Sequence, residues 1–246
     1  MTRWTLGPKF SAYLGLNFKL MSTLYGMELC ITLLYGTLYT RSYDRDLSQY
    51  LWLFLLLCLA AFISHAPYMF RQSLSEDSAM FFTSIPVTSF ETVMAKQLAV
   101  TAGVLIPFIV LGSLLFVGFS FSEEKWRIFV NLMCGLGFTR QNMTAGLLLI
   151  IWLTVIVGFV MGGISLLAFF LGDHFSGSRK KLLMWVLILF FEAVLLAAAA
   201  GLLLLIWLVG VLPVLVRLLL IMAAAIVLSV VLVRLNLVAL EKWYCI

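Results

Sequence analysis

Apolar and polar residues alternate along this chain in long blocks, not at the short period of an amphipathic soluble helix or strand. A membrane helix needs about 20 mainly apolar residues, and six stretches qualify: about 21–40, 47–70, 93–119, 144–171, 182–204 and 215–235. The first stops at the charged turn Arg41 to Asp46, and the second at Arg71. The third contains Pro107, which neighbouring helices tolerate in lipid although it kinks the helix. The fourth carries Gly158-xxx-Gly162, a spacing that lets another backbone approach closely. A mixed segment, Ser120 to Met143, separates spans three and four. The last two spans come from one nearly unbroken apolar run, Leu182 to Leu235, punctuated only by Gly201, Gly210 and Pro213, so a short apolar link about 204–214 must join them, either outside the membrane or dipping back into it.

Ahead of the first span, Leu6, Phe10, Tyr13, Leu14 and Phe18 recur at helical spacing with Lys9, Asn17 and Lys19 between them. Two readings fit: a helix over about 4–20 lying in the membrane interface, or an extension of the first span.

Composition sharpens this picture. Of 246 residues, 64% are apolar and 11% charged, with a mean hydropathy of +1.14. A soluble domain normally carries about a quarter charged residues, so a soluble enzyme, a nucleic-acid reader and a disordered chain are excluded. The net charge of +5 makes no basic stripe, because sixteen Lys and Arg are scattered between apolar blocks. They report topology instead. With both ends on one side, that side holds Arg3, Lys9, Lys19, Arg71, Lys96, Arg179, Lys180, Lys181, Arg234 and Lys242, and the other holds Arg41, Arg45, Lys125, Arg127, Arg140 and Arg217. Ten against six favours cytoplasmic termini.

Motif chemistry is mostly negative. Cys30, Cys58, Cys134 and Cys245 lie far apart and suggest neither a disulfide framework nor a metal site. No cleaved signal peptide is expected from Met1 to Leu20, and Cys245 is misplaced for prenylation. A membrane metalloprotease of the prenyl-endopeptidase type needs a paired-glutamate motif and two histidine motifs. Glu123-Glu124-Lys125-Trp126-Arg127 is one residue short, Phe170-xxx-His174 fits, and His65 lies too far upstream to complete the set. There is no nucleophile elbow, and no glycine precedes a lysine as a phosphate loop requires, so any ATP must be bound by another chain.

The informative segment is 71–92, between spans two and three. Ser75, Glu76 and Asp77 make a good helix start, since acids favour the positive helix end. Ser78, Ala79, Met80, Phe81 and Phe82 continue a helix too short to span, Pro86 ends it, and Ser89 with Glu91 and Thr92 begins the next. Acids beside aromatics at the membrane face suit docking into a groove of a soluble partner. A solvated loop with its aromatics on lipid fits the same residues.

Glu76 and Asp77, then Ile85-Pro86-Val87, then Lys96 ten residues after the proline, resemble the permease subunits of type-2 ABC exporters. Ile85 stands where that family commonly has leucine, and Ser78 or Ala79 where it often has glycine. The resemblance implies an all-α integral membrane protein. Its six transmembrane helices carry an N-terminal interfacial helix and a cytoplasmic coupling helix between spans two and three, all in one transmembrane domain over 1–246. It further implies that residues 75–82 dock on a soluble ABC ATPase, with Arg179 to Lys181 offering a second contact. Two permeases would pair over two ATPases, which hold ATP and Mg, while this chain binds no cofactor or metal. The cell membrane of a bacterium is the implied location, and exporters of toxic or antimicrobial peptides, including phenol-soluble modulins and bacteriocins, are the favoured kinds, with drug, ion or protein-maturation permeases as the alternatives.

Ionisable groups inside spans are costly and so are candidates for function. Glu28 and Glu192 are the candidates here, each readable as a structural hydrogen bond or as a contact on a translocation path. Arg217 and Arg234 fit snorkelling anchors. Apolar walls with Trp152, Trp185 and Trp207 available would suit a hydrophobic or amphipathic substrate, a peptide above others. Two rival classes stay open: an ion-coupled secondary transporter, for which no clear internal repeat is visible, and a purely structural membrane subunit.

Overall fold

The computed structural model describes residues 7, 9–41, 65, 68, 87–120, 123–135, 137–139, 141–176, 181–208 and 212–244. Within them the chain is helical, with no strand: α1 Phe10–Arg41, α2 Ser89–Ser120, α3 Glu123–Gly135, α4 Met143–Ser176, α5 Lys181–Trp207 and α6 Val214–Tyr244. His65 and Tyr68 are also helical. The second expected span apart from His65 and Tyr68, residues 75–82, Ile85, Pro86, Arg179, Lys180, Cys58 and Cys245 fall outside the described residues.

Among the described residues, four helices are long and apolar enough to cross a membrane: Ser89–Val110, Met143–Phe175, Leu183–Trp207 and Val214–Trp243. Apolar side chains that water would penalise cover their outer faces, among them Ile151, Trp152, Phe190, Leu205 and Val227, each more than half exposed. So much contiguous apolar surface is foreign to a soluble monomer and natural to one solvated by lipid. The fold is that of an all-α membrane protein. α1 runs unbroken from Phe10 through Arg41, so residues on either side of position 20 share one helix.

Packing centres on α4, which contacts α2, α5 and α6, while α1 packs along α2. α2 is the most enclosed, with 56% of its most apolar stretch buried, and α5 the least, with 17%. Glycines explain the approach of α4 to its neighbours. A Cβ at Gly158 would lie 2.6 Å from Leu105, one at Gly162 would lie 2.5 Å from Thr101 Oγ1 and 3.2 Å from the Gln97 carbonyl, and one at Gly172 would lie 3.0 Å from the Ile188 backbone nitrogen. The Gly158-xxx-Gly162 face therefore serves packing within the chain, against α2.

A smaller cluster forms at the opposite end of α4. Met133, Phe138, Val214 and Leu218 are buried together there. Phe138 occupies the space left by Gly146, after Gly137 turns the chain at a φ of 93° that favours glycine. α3, in the segment read only as mixed, begins with Glu123, an acid placed favourably at a helix N-terminus. α5 and α6 are joined by residues 208–213. Arg217 spans that junction: its guanidinium stacks over Trp207 at 4.8 Å and Nη1 donates to the Trp207 carbonyl at 3.3 Å. It holds the negative end of α5, a role beyond that of a snorkelling anchor.

Candidate functional site

The described part of the segment 71–92 is its exit, residues 87–92, where the chain enters α2. Thr88, one residue earlier than the expected Ser89, is the cap. Its hydroxyl accepts from the Glu91 backbone N–H at 3.2 Å, and the Glu91 carboxylate reaches back to the Thr88 N–H at 2.8 Å. Thr88-Ser-Phe-Glu91 is thus a capping box, in which the side chain of each end residue accepts from the otherwise orphaned backbone N–H of the other. The same carboxylate accepts from the Gly7 N–H at 2.5 Å, so it ties the chain ahead of α1 to the first turn of α2. One turn further along α1, the buried Tyr13 hydroxyl bonds the Thr92 side chain; burial raises this phenol above its ordinary value, and the bonds to Thr92 and Asn17 oppose the rise. Val87 is half-buried beside the cap. Lys96 lies on α2 within the protein, 6% exposed.

Deeper along α2, Gln97 donates from Nε2 to the Phe159 carbonyl at 3.0 Å. From the other side, Asn236 of α6 donates to the Gly163 carbonyl at 3.0 Å. These two carbonyls are one helical turn apart on α4, so amides from two flanking helices read the backbone bared by Gly162 and Gly163. The two amide oxygens, Gln97 Oε1 and Asn236 Oδ1, are buried without a partner. Hydroxyls elsewhere on these helices bond their own preceding turn, as Thr101 does to the Gln97 carbonyl at 2.7 Å and Ser229 to that of Ala225 at 2.8 Å, the common way a span satisfies a hydroxyl in lipid.

The two intramembrane acids have different surroundings. Glu192 on α5 is 2% exposed; Ser165 of α4 donates to its Oε1 at 2.8 Å, and its other oxygen is buried unpartnered. Glu28 on α1 faces His65, with Oε2 and Nε2 3.1 Å apart. That separation is right for an ion pair, although the atoms are out of line for a full hydrogen bond. Tyr25 stacks on the same imidazole, ring centroids 6.0 Å apart, and donates its hydroxyl to the Ala99 carbonyl of α2.

An apolar groove of about 430 Å³ runs between α2, α4 and α6. Phe90, Met94, Ile156, Phe159 and Val233 line it, with Ser229 the one polar side chain among the described residues of its walls. Trp152 and Trp185 point away from the bundle, at 62% and 40% exposure, and Trp207 sits under Arg217.

The structure therefore brings Glu28 to a partner, His65, that the sequence had shown only as a leftover histidine. It leaves Glu192 on a different helix pair. Gln97 and Asn236 went unremarked as sequence, because an amide carries no charge to draw notice; amides in spans of this length were the available signal. Among the described residues no cluster of three metal-ligating side chains occurs. No protein-family model matches the chain, and no curated protein or solved structure matches it.

Proposed function

We propose that this chain is the membrane-spanning permease subunit of an ATP-driven exporter of the type-2 ABC kind. In this reading it crosses a bacterial cell membrane six times with both termini cytoplasmic, pairs with a second copy, and rests on two soluble ATPase subunits that hold ATP and Mg. The chain performs no chemistry. It is a conformational element biased by nucleotide bound elsewhere. The substrate class is a hydrophobic or amphipathic molecule, a peptide above others, which the apolar groove between α2, α4 and α6 supports.

The observation that carries the reading is the construction of α2. This helix follows directly on the acidic-aromatic segment, starts in a doubly closed cap at Thr88 and Glu91, and packs against α1, α4 and α6. A push delivered at residues 75–82 meets a stiff helix start and is passed to three other helices at once. The pull on Gly7 through Glu91 carries it to the chain ahead of α1 as well.

The test is copurification. Tagged full-length chain, purified from its native host, should retain a soluble ABC ATPase through detergent extraction. Changing Glu76, Asp77, Phe81 and Phe82 together to alanine should abolish retention while the membrane bundle still extracts and melts normally. Undiminished retention would refute the coupling assignment.

A further inference from the structure

We propose that α3 is an interfacial helix: its apolar side rests on the phospholipid leaflet beside the bundle, with Trp126 among the lipid headgroups and Arg127 reaching their phosphates. The inference stands apart from the exporter reading and needs only that the bundle crosses a membrane.

Connectivity holds α3 at the membrane face. α2 stays apolar in sequence to its end at Ser120, and α3 starts three residues later at Glu123. Three chain steps reach about 10 Å at most, so the start of α3 stays close to the end of α2, the helix it contacts. The other end is pinned as well. Met133 is buried with Phe138, Val214 and Leu218, and Val214 is the first residue of α6 and of its apolar span. Thirteen residues of helix measure about 20 Å. A rod of that length, held near the terminus of a span at each end, runs along the membrane face and does not project from it.

The sides of α3 differ. Trp126, Val130 and Met133 recur at helical spacing on one side. Along it, exposure falls from 41% at Trp126, through half-buried Val130, to 3% at Met133. The apolar side thus leaves the bundle towards the start of the helix, where it needs another apolar cover. On the adjoining side Glu123, Arg127, Asn131 and Cys134 are all exposed. An indole left uncovered by the bundle, beside a charged surface and on an element fixed at the membrane face, sits where tryptophan is favoured, at the level of the headgroups.

Charge decides which lipids suffice. Glu123 and Glu124 are balanced by Lys125 and Arg127, so α3 has no net charge to draw it to an anionic surface. Its attachment is apolar and independent of the sign of the headgroup. Arg127, the neighbour of Trp126 in sequence, meets the phosphate that phospholipids share, a group guanidinium binds well. Attached in this way, α3 fixes the height of the end of α2 relative to the lipid surface.

The experiment uses the full chain with its four cysteines replaced by serine, in nanodiscs of phosphatidylcholine or of phosphatidylglycerol. One nitroxide label at a time is placed on Trp126→Cys, Arg127→Cys or Asn131→Cys. The Trp126→Cys label should respond to dissolved oxygen and lose its response to a water-soluble nickel chelate, whereas the other two should respond to the chelate. Nickel carried on a chelating lipid headgroup should broaden the Arg127→Cys signal, and both lipids should give the same pattern. Should the cysteine-free chain fail to fold, the wild type is compared with Trp126→Phe, and lipids brominated near the top of their chains should quench the wild-type fluorescence more. A Trp126→Cys label as open to the chelate as that of Arg127→Cys puts α3 in water and overturns the proposal. So does a Trp126→Cys label silent to both reagents, which means that protein covers this side. A pattern confined to phosphatidylglycerol, an Arg127→Cys signal unmoved by lipid-borne nickel, or equal quenching of wild type and Trp126→Phe overturns it too.

Discussion

The Glu91 carboxylate accepts hydrogen bonds from the Thr88 N–H, the Thr88 hydroxyl and the Gly7 N–H, so one side chain closes the α2 cap and fastens the chain ahead of α1. Charge-assisted caps of this kind contribute about 1–2 kcal/mol. Glu91→Ala is expected to lower the stability of the bundle by about that amount, seen as a lower melting temperature in nanodiscs, and to expose the peptide around Gly7 to protease. Glu91→Gln keeps an acceptor and should lose less. If Glu91→Ala melts and digests like the wild type, the cap has no structural weight. At this scale the sequence was partly readable. Ser89, Glu91 and Thr92 marked a helix start in the right place, yet the cap is Thr88, because what decides a cap is which side-chain oxygen meets the exposed N–H groups. The link from Glu91 to Gly7 joins residues 84 apart and leaves no trace in any local pattern. The same holds for Glu28 and His65.

Between elements, close approach depends on what is missing from glycines. At Gly162 a leucine would drive into Thr101 and the Gln97 backbone, whereas at Gly201 nothing lies within 4 Å of an added Cβ. Gly162→Leu should therefore destabilise the bundle by about 1–3 kcal/mol, the usual range for overpacking, and Gly201→Leu by almost nothing. Equal melting temperatures for the two variants would show that α4 and α2 do not meet as described. The spacing of Gly158 and Gly162 was legible as a packing face, but its partner was not, since spacing on one helix is silent about which neighbour it receives. The amide contacts of Gln97 and Asn236 with α4 belong to this scale too. Each such contact between spans contributes on the order of 1 kcal/mol, and together they fix which face of α4 turns inward.

For the molecule as a whole, composition sufficed to read an all-helical membrane protein, because 20-residue apolar runs have few other stable solutions. Topology is a finer matter, resting on where sixteen basic residues fall. It is testable through the exposed thiols Cys30 and Cys134. With cytoplasmic termini, α3 lies outside the cell, so Cys134 should react with a membrane-impermeant maleimide in intact cells while Cys30, within the first span, should not. Protection of Cys134 until the cells are broken would invert the proposed orientation.

The hold of Asn236 on the Gly163 carbonyl also bears on how the chain is made. Synthesis proceeds from α1 towards α6, so α4 reaches the bilayer with its glycine pair covered on the α2 side and bare on the other. α6 supplies the missing amide, and a ribosome that stopped before it would release a bundle with an open flank along α4. The open flank of α4 is thus closed only once α6 has been made, and a copy lacking α6 carries in that unsealed flank the mark by which it differs.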